Sequence, residues 1–400
     1  MHSVFLCEPV RTAVGKYGGA LSSVRPDDLA AVVMKECVER TGVDPSLIDD
    51  VIMGCANQAG EDNRNVARMA SLLAGLPQSV PAVTVNRLCA SSLEAIIQGA
   101  RAIMSGESSM VLAGGVESMS RAPYAIPKNV SGAAAFGNLV AYDTALGWRF
   151  PNPAIERMFP LESMGETAEN LAERFQISRE DQDAYALRSH QRAVAAQSAG
   201  VFDEEIVPVR IPRKRGDDLV INRDEQPRAD SSHEALSALK PAFRKGGSVT
   251  AGNASSLNDG AGAVILARED MVRRFGLRPF ARYVSGHASG IDPRIMGAGP
   301  VEAVKGTLAK AGLGMVDIGR VEINEAFAAQ VLTCQRQLDI PDDILNVFGG
   351  AIAIGHPLGM SGVRLTGTLI RSMQREGLRY GVASLCIGVG QGLAAVFERA

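Results

Sequence analysis

The sequence predicts a layered α/β protein whose strands are buried on both faces. Three observations carry that prediction. Short apolar runs bounded by turn residues recur along the chain, without the polar alternation of a half-exposed sheet. Segments of helical periodicity lie between them. The 400 residues include 42 glycines but only 5% aromatics, a texture of small residues that lets backbones approach closely.

Taken in order, Asp28 stands where it can cap a helix that buries Leu29, Val32, Val33 and Cys37 and stops near Gly42. Val51–Met53 and Ala82–Val85 read as strands. A helix follows in which Leu93, Ile96, Ile97, Ala100, Ile103 and Met104 keep one face until Gly106, and Met110–Ala113 is the next strand. From about Ser120 to Val249 the texture changes. Pro- and Gly-rich sequence leads to a polar helix opened by Ser178, with Asp181 at capping-box spacing, and then to the charged run Arg213-Lys214-Arg215-Gly216-Asp217-Asp218. This reads as a large insertion on the α/β core, of the kind that covers an active site. Strands resume at Ala263–Leu266, Arg320–Ile323, Val382–Leu385 and Leu393–Val396, and Pro300 suits the first turn of a helix carrying Val301, Val304 and Leu308. There is an internal echo: Cys89 and His356 each precede a helix and then an apolar strand that ends in glycines.

Composition excludes several classes of function. Forty-one basic residues against 44 acidic ones give a net charge of −3, no footprint for nucleic acid or an anionic membrane. No run approaches the roughly 18 apolar residues of a membrane span. Met1–Glu8 turns acidic too early for the apolar core of a signal peptide, and Phe397–Ala400 carries no retrieval or peroxisomal tripeptide. A cytoplasmic protein with no membrane or nucleic-acid partner is expected. The six cysteines form no Cys-x-x-Cys and the five histidines no His-Glu-x-x-His, so no metal site is signalled.

The candidate chemistry sits at strand-to-helix junctions. Cys89 lies between a strand and a helix start, where the macrodipole and free N–H groups favour a thiolate; the alternative is a buried structural cysteine. His356, wrapped in Gly349-Gly350-Ala351-Ile352-Ala353-Ile354-Gly355-His356-Pro357-Leu358-Gly359, is pinned where backbone can approach a ligand, unless it is merely a satisfied loop histidine. Cys386-Ile387-Gly388-Val389-Gly390-Gln391-Gly392 offers glycine N–H groups beside a second thiol, which suits an oxyanion hole better than a dinucleotide loop, because too little chain follows. Asn324, after a strand, is either functional or the N-cap of a helix running through Leu332. Arg213–Arg215 is either a solvated loop or a phosphate contact. Two thiols, an imidazole, an amide and glycine loops make acyl transfer plausible without a cofactor.

The four motifs Asn86-Arg87-Leu88-Cys89-Ala90-Ser91-Ser92, Asn324-Glu325-Ala326-Phe327, Gly355-His356-Pro357 and Cys386-Ile387-Gly388-Val389-Gly390, in this order, resemble the thiolases from about Val4 to the C-terminus. The chain departs at Ser92, where many members carry glycine. Within the family, Gly54–Asn65 and Asp143–Phe150 resemble the 3-oxoadipyl-CoA branch, whereas Ser163–Asn170 resembles the acetoacetyl- and general 3-ketoacyl-CoA thiolases.

The resemblance implies two duplicated α-β-α-β-α halves with mixed five-stranded sheets. The first half is 1–119, completed by about 250–270. A loop domain covering the CoA site takes 120–249, and the second half is 271–400. It implies Cys89 as nucleophile, His356 as its base, Cys386 as general acid and base, and two oxyanion holes: His356 with a water held by Asn324, and the N–H groups of Cys89 and Gly388. Ser255 would contact pantetheine, with Met164 and Met296 lining the acyl-pantetheine pocket; as lone methionines they would otherwise be core. Arg149 is a candidate partner for a distal substrate carboxylate. Coenzyme A is substrate, no bound cofactor or metal is needed, and a homotetramer is expected. The competing readings are a decarboxylating condensing enzyme, disfavoured by a cysteine in the second slot, a non-catalytic acyl-CoA-binding homologue, and a redox sensor built on Cys89 and Cys386.

Overall fold

The computed structural model describes residues 2–128 and 138–400, so 129–137 of the expected insertion lie outside the described residues. The principal strands are β1 (Val4–Thr12), β2 (Asp50–Gly54), β3 (Ala82–Val85), β4 (Met110–Ser118), β5 (Asn258–Arg268), β6 (Pro279–Gly290), β7 (Ile318–Ile323), β8 (Tyr380–Ile387) and β9 (Gln391–Arg399). The helices that matter here are α1 (Pro26–Thr41), α2 (Ser91–Ser105), α3 (Met164–Arg174), α4 (Arg179–Ser198), α5 (Gly299–Ala311), α6 (Ala328–Gln337) and α7 (Ser361–Glu376).

The strands lie in the order β3-β2-β4-β5-β1-β6-β9-β8-β7. In the first five, β2 pairs parallel with β3 and β4, and β4-β5-β1 continue antiparallel. The other arm repeats this scheme: β7 is parallel to β8, and β8-β9-β6 continue antiparallel. Its fifth strand is reduced to one parallel bridge, Val321 to Leu345. The internal echo is therefore a topological duplication, and Cys89 and His356 follow equivalent strand positions in the two arms. The two arms, each built on this mixed scheme, join edge to edge. Phe5, Leu6 and Cys7 of β1 pair with Arg282, Ala281 and Pro279 of β6, across a register shift.

Both faces of each arm are covered, which is why the strands read as unbroken apolar runs. Val111 and Ala113 of β4 and Leu385 and Ile387 of β8 face one shared core around α2 and α7. Met110 and Leu112 turn to a second core under α1, and Val382 and Val396 to a third with α5 and α6. The layers are thus α-β-α-β-α. In the middle layer α2 and α7 meet at their N-termini. A Cβ on Gly362 would lie 2.3 Å from the Leu93 nitrogen, so only glycine fits there. Ser92, the departure from the family pattern, uses its hydroxyl to accept the Val363 N–H at 2.9 Å, giving α7 a cap from the neighbouring helix.

Two helix starts differ from expectation. α1 begins at Pro26 with Arg25 as cap, and Asp28 lies inside its first turn. Pro at the first turn needs no N–H partner, and the acids there face the positive helix end. The helix expected from Asn324 starts instead at Ala328, whose N–H goes to the Asn253 carbonyl; Asn324 is not its N-cap. Ser178 does cap α4, accepting the Asp181 N–H at 3.0 Å. The insertion lays α3 and α4 against the second arm through Ala172, Tyr185 and Ala186.

Candidate active site

β3 delivers the chain into a tight turn in which Leu88 takes a left-handed conformation, φ 45°. For a non-glycine residue this costs about 1–2 kcal/mol and must be held from outside. Two side chains hold it. Asn86 accepts the Leu88 N–H at 2.8 Å and donates to the Ala56 carbonyl at 2.9 Å. The Ser91 hydroxyl accepts the Arg87 N–H at 2.9 Å and donates to the Leu88 carbonyl at 2.6 Å. Cys89 follows within this turn, immediately before α2 and partly open to solvent. The expected thiolate-favouring effect is present, through the N–H groups of Gly388 and of Cys89 itself. Burial outweighs it and pushes the thiol up to about 11. In the resting protein the proton is on sulfur.

In the other arm, Gly355 has φ 114°, and a Cβ there would lie 2.6 Å from the Asn258 amide. Asn258 accepts the His356 backbone N–H at 2.8 Å and donates to the Gly15 carbonyl at 2.8 Å, so the bend is fixed on both sides. The imidazole Nδ1 lies 2.6 Å from the Ser361 hydroxyl, which donates its own proton to the Pro357 carbonyl at 2.8 Å. The hydroxyl can therefore only accept from Nδ1–H. That leaves Nε2 unprotonated, facing the Asn324 amide at 3.2 Å. Burial, and then the charge of Arg364, hold the ring down at about 3. It is a neutral imidazole with its bare nitrogen fixed by Ser361.

Asn324 leaves β7 with its N–H on the Ser384 carbonyl, and its buried Oδ1 has no hydrogen-bond partner among the described residues. Cys386 is buried next to the end of β8; burial, then the charges of Cys89 and Cys334, hold its thiol well above the ordinary range. The chain then turns through Gly388, Val389 (φ 65°) and Gly390 (φ 81°) into β9. A Cβ on Gly388 would lie 3.5 Å from Leu88 and from the Met164 sulfur, so this turn, the nucleophile turn and the start of α3 converge. Met164, Met296, Phe327, Val249 and Ala254 form one apolar cluster with Cys386. Ser255 sits half-buried at its edge, its N–H on the Ala326 carbonyl at 2.9 Å. Asn324, with His356 beside it, is joined to this region through the Ser384 carbonyl, two residues before Cys386.

The charged candidates are not among these residues. Arg149 donates to the Thr144 carbonyl at 2.9 Å, an oxygen shared with the Asn57 amide. Arg213–Arg215 occupy an exposed loop between the short strands Val209–Ile211 and Leu219–Ile221.

Four further residues support the site, of which only Glu325 falls within one of the four sequence motifs. Ser361 and Asn258 orient His356 as above. Glu117 accepts the N–H groups of Ala56, Asn57 and Gly359 at 3.0, 3.1 and 2.9 Å, tying the loop after β2 to the turn after His356; burial pushes it up to about 7. Glu325 accepts from Tyr185, Ser189 and Asn346 at 2.9, 2.6 and 3.0 Å, anchoring the turn after Asn324 to α4.

A thiol, a neutral imidazole with one unprotonated nitrogen, a second thiol and converging amide donors define a centre suited to acyl transfer through a cysteine thioester. Comparison with known proteins narrows this. Residues 4–270 match the thiolase N-terminal domain and 277–399 the thiolase C-terminal domain. The chain belongs to the thiolase family. It is 53% identical, with both chains fully covered, to the 3-oxoadipyl-CoA/3-oxo-5,6-dehydrosuberyl-CoA thiolase of Escherichia coli K12. It is 52% identical, again over both whole chains, to the beta-ketoadipyl-CoA thiolase of Pseudomonas putida. Among solved structures it resembles the Bacillus anthracis acetyl-CoA acetyltransferase at TM-score 0.94 and 44% identity, covering 100% of this chain and 99% of that one. Human mitochondrial 3-ketoacyl-CoA thiolase in complex with CoA superposes at TM-score 0.92 and 42% identity, covering 100% of this chain and 98% of that one.

Proposed function

We propose that this thiolase cleaves 3-oxoadipyl-CoA with free CoA, giving succinyl-CoA and acetyl-CoA. What supports the chemistry is the approach of the Cys89 and Gly388 turns, with Cys386 nearby and the Asn324 amide 3.2 Å from His356 Nε2. The substrate rests on the names of relatives about half identical over the whole chain.

The cycle closes on these groups. His356 Nε2 takes the Cys89 proton as the sulfur attacks the 3-keto carbon, and the new oxyanion is stabilised by the N–H groups of Cys89 and Gly388. The bond between C2 and C3 breaks. The enolate of acetyl-CoA is stabilised by protonated His356 and by a water for which Asn324 Oδ1, without a partner among the described residues, is the acceptor. Cys386 gives this enolate its proton and, as thiolate, takes one from incoming CoA. The CoA sulfur attacks the succinyl-Cys89 thioester, and His356 returns its proton to the departing Cys89. A second titratable group is required because an acylated cysteine cannot also donate a proton. No cofactor enters; CoA is substrate, its pantetheine running past Ser255, Met164 and Met296.

Arg149 is the proposed partner of the distal carboxylate. The protein is proposed to be cytoplasmic and a homotetramer. Its sheet ends at β3, where Val83 is 42% exposed, and a second copy of that strand would cover the open edge. Among the described residues, no helix is long and apolar enough to cross a membrane.

The test is thiolysis by the purified protein of 3-oxoadipyl-, acetoacetyl- and 3-oxopalmitoyl-CoA, beside Cys89→Ala. Preference for 3-oxoadipyl-CoA, lost in the variant, supports the proposal. A preference for acetoacetyl-CoA transfers the same mechanism to short-chain metabolism, the reading favoured by the likeness to acetyl-CoA acetyltransferase. No Cys89-dependent cleavage overturns it in favour of an acyl-CoA-binding protein.

A further inference from the structure

The two amide donors of the proposed oxyanion hole belong to turns from opposite arms of the sheet. Each turn contains a non-glycine residue in the left-handed region, Leu88 at φ 45° and Val389 at φ 65°, so neither relaxes into its shape unaided. Packing fixes the Gly388 turn on one side: a Cβ on Gly299 would lie 2.3 Å from the Gln391 carbonyl oxygen. On the other side a single arginine spans the two turns. Arg87 Nη1 donates to Gln391 Oε1 at 3.0 Å, across 304 residues of sequence. Its Nε donates to Glu94 Oε2 at 2.8 Å, and the other oxygen of Glu94 is held by Gln98 at 2.9 Å. Glu94 lies on α2, so the guanidinium is braced on the helix that Cys89 precedes and reaches from there to the first residue of β9.

We propose that Arg87 is a positioning residue that fixes the Gly388 N–H relative to Cys89 through its bridge from Glu94 to Gln391. The proposal rests on the oxyanion-hole reading above. Misplacing a catalytic donor by about 1 Å costs on the order of 10²-fold. A planar guanidinium directs two N–H groups to the two partners in a fixed fork, a geometry an ammonium does not supply.

The test compares Arg87→Ala, Arg87→Lys, Gln391→Ala and the double variant Arg87→Ala/Gln391→Ala in thiolysis, with Cys89 alkylation by iodoacetamide measured in parallel. Each single variant should lose roughly 10- to 100-fold in kcat with KM for CoA within about twofold. The double variant should be no worse than the worse single, since all of them break one bridge. Alkylation develops no oxyanion and feels the Gly388 N–H only through the thiolate it favours, so it should fall much less than kcat. Gln391→Ala keeps the ion pair with Glu94 and reads the bridge even if Arg87→Ala does not fold. Wild-type kcat in Gln391→Ala, additive losses, or a matching fall in alkylation would each overturn the positioning role while leaving the thiolase reading intact. A wild-type protein that cleaves no 3-ketoacyl-CoA overturns both.

Discussion

Replacing Ser361 by alanine isolates one element of the proposed mechanism, the tautomer of His356. The hydroxyl accepts from Nδ1 at 2.6 Å and spends its own proton on the Pro357 carbonyl, which keeps Nε2 bare for the Cys89 proton. Without it, Nδ1–H is a buried donor with no acceptor, a loss of about 1–3 kcal/mol for that tautomer. The other tautomer places its proton on Nε2, where Asn324 Oδ1, without a partner among the described residues, accepts it after an amide rotation. The reactive form then becomes the minor one. A shift of about 1–2 kcal/mol predicts a fall of roughly 5- to 30-fold in kcat. The assay is steady-state thiolysis with both substrates varied, beside a melting curve showing that the variant is folded. KM for CoA should stay near the wild-type value, because Ser361 touches only the base. A folded Ser361→Ala protein with kcat within about twofold of wild type would refute the tautomer argument.

Other consequences follow from the same geometry. With the Cys89 thiol at about 11, iodoacetamide alkylation of the free enzyme should keep accelerating about tenfold per pH unit through pH 9. A plateau near pH 7 would mean a preformed thiolate. His356 is held at about 3 against an ordinary 6.5, so below pH 6.5 the unfolded chain binds a proton that the folded one refuses. Stability should therefore fall on acidification from pH 6.5 towards 3, less steeply in His356→Asn, and equal slopes in urea titrations would contradict the burial argument. Gly355→Ala places a Cβ at φ 114° and 2.6 Å from Asn258. Activity in that variant should fall at least as far as in Ser361→Ala; wild-type kinetics would show that the bend tolerates a side chain.

The parts of this site that were legible in the sequence are those whose chemistry is concentrated in rare residues at strand-to-helix junctions. Cys89 stood out at a strand-to-helix junction, and His356 and Cys386 because an imidazole or thiol beside glycines has few structural uses. Asn258, Ser361, Glu117 and Glu325 did not. They act on backbone N–H groups and side chains folded against them, most of them distant in sequence, and a buried serine or glutamate looks locally like any other. The cap of α1 was misread because Pro26 starts the helix without a side-chain cap. The stretch after Asn324 reads as helical by periodicity, yet Glu325 and the Ala254 bridge to Phe327 hold it extended until Ala328. The thiol of Cys89 shows a further limit: the helix start was visible, but the burial that overrides it comes only with the folded chain. The duplication was legible as an echo of motifs, whereas the loss of the second arm's fifth strand to one bridge at Leu345 was not.

The central claim is that Cys89 carries the acyl group and Cys386 moves the proton. Its most direct test is to mix the protein with 3-oxoadipyl-CoA in the absence of free CoA, quench in acid, digest and locate adducts by mass spectrometry. Wild type should carry a succinyl group on Cys89 that disappears when CoA is added. Cys386→Ala should form it far more slowly. A succinyl group on Cys386 or on any other residue, or full and rapid acylation of Cys89 in the Cys386→Ala variant, would contradict this division of roles.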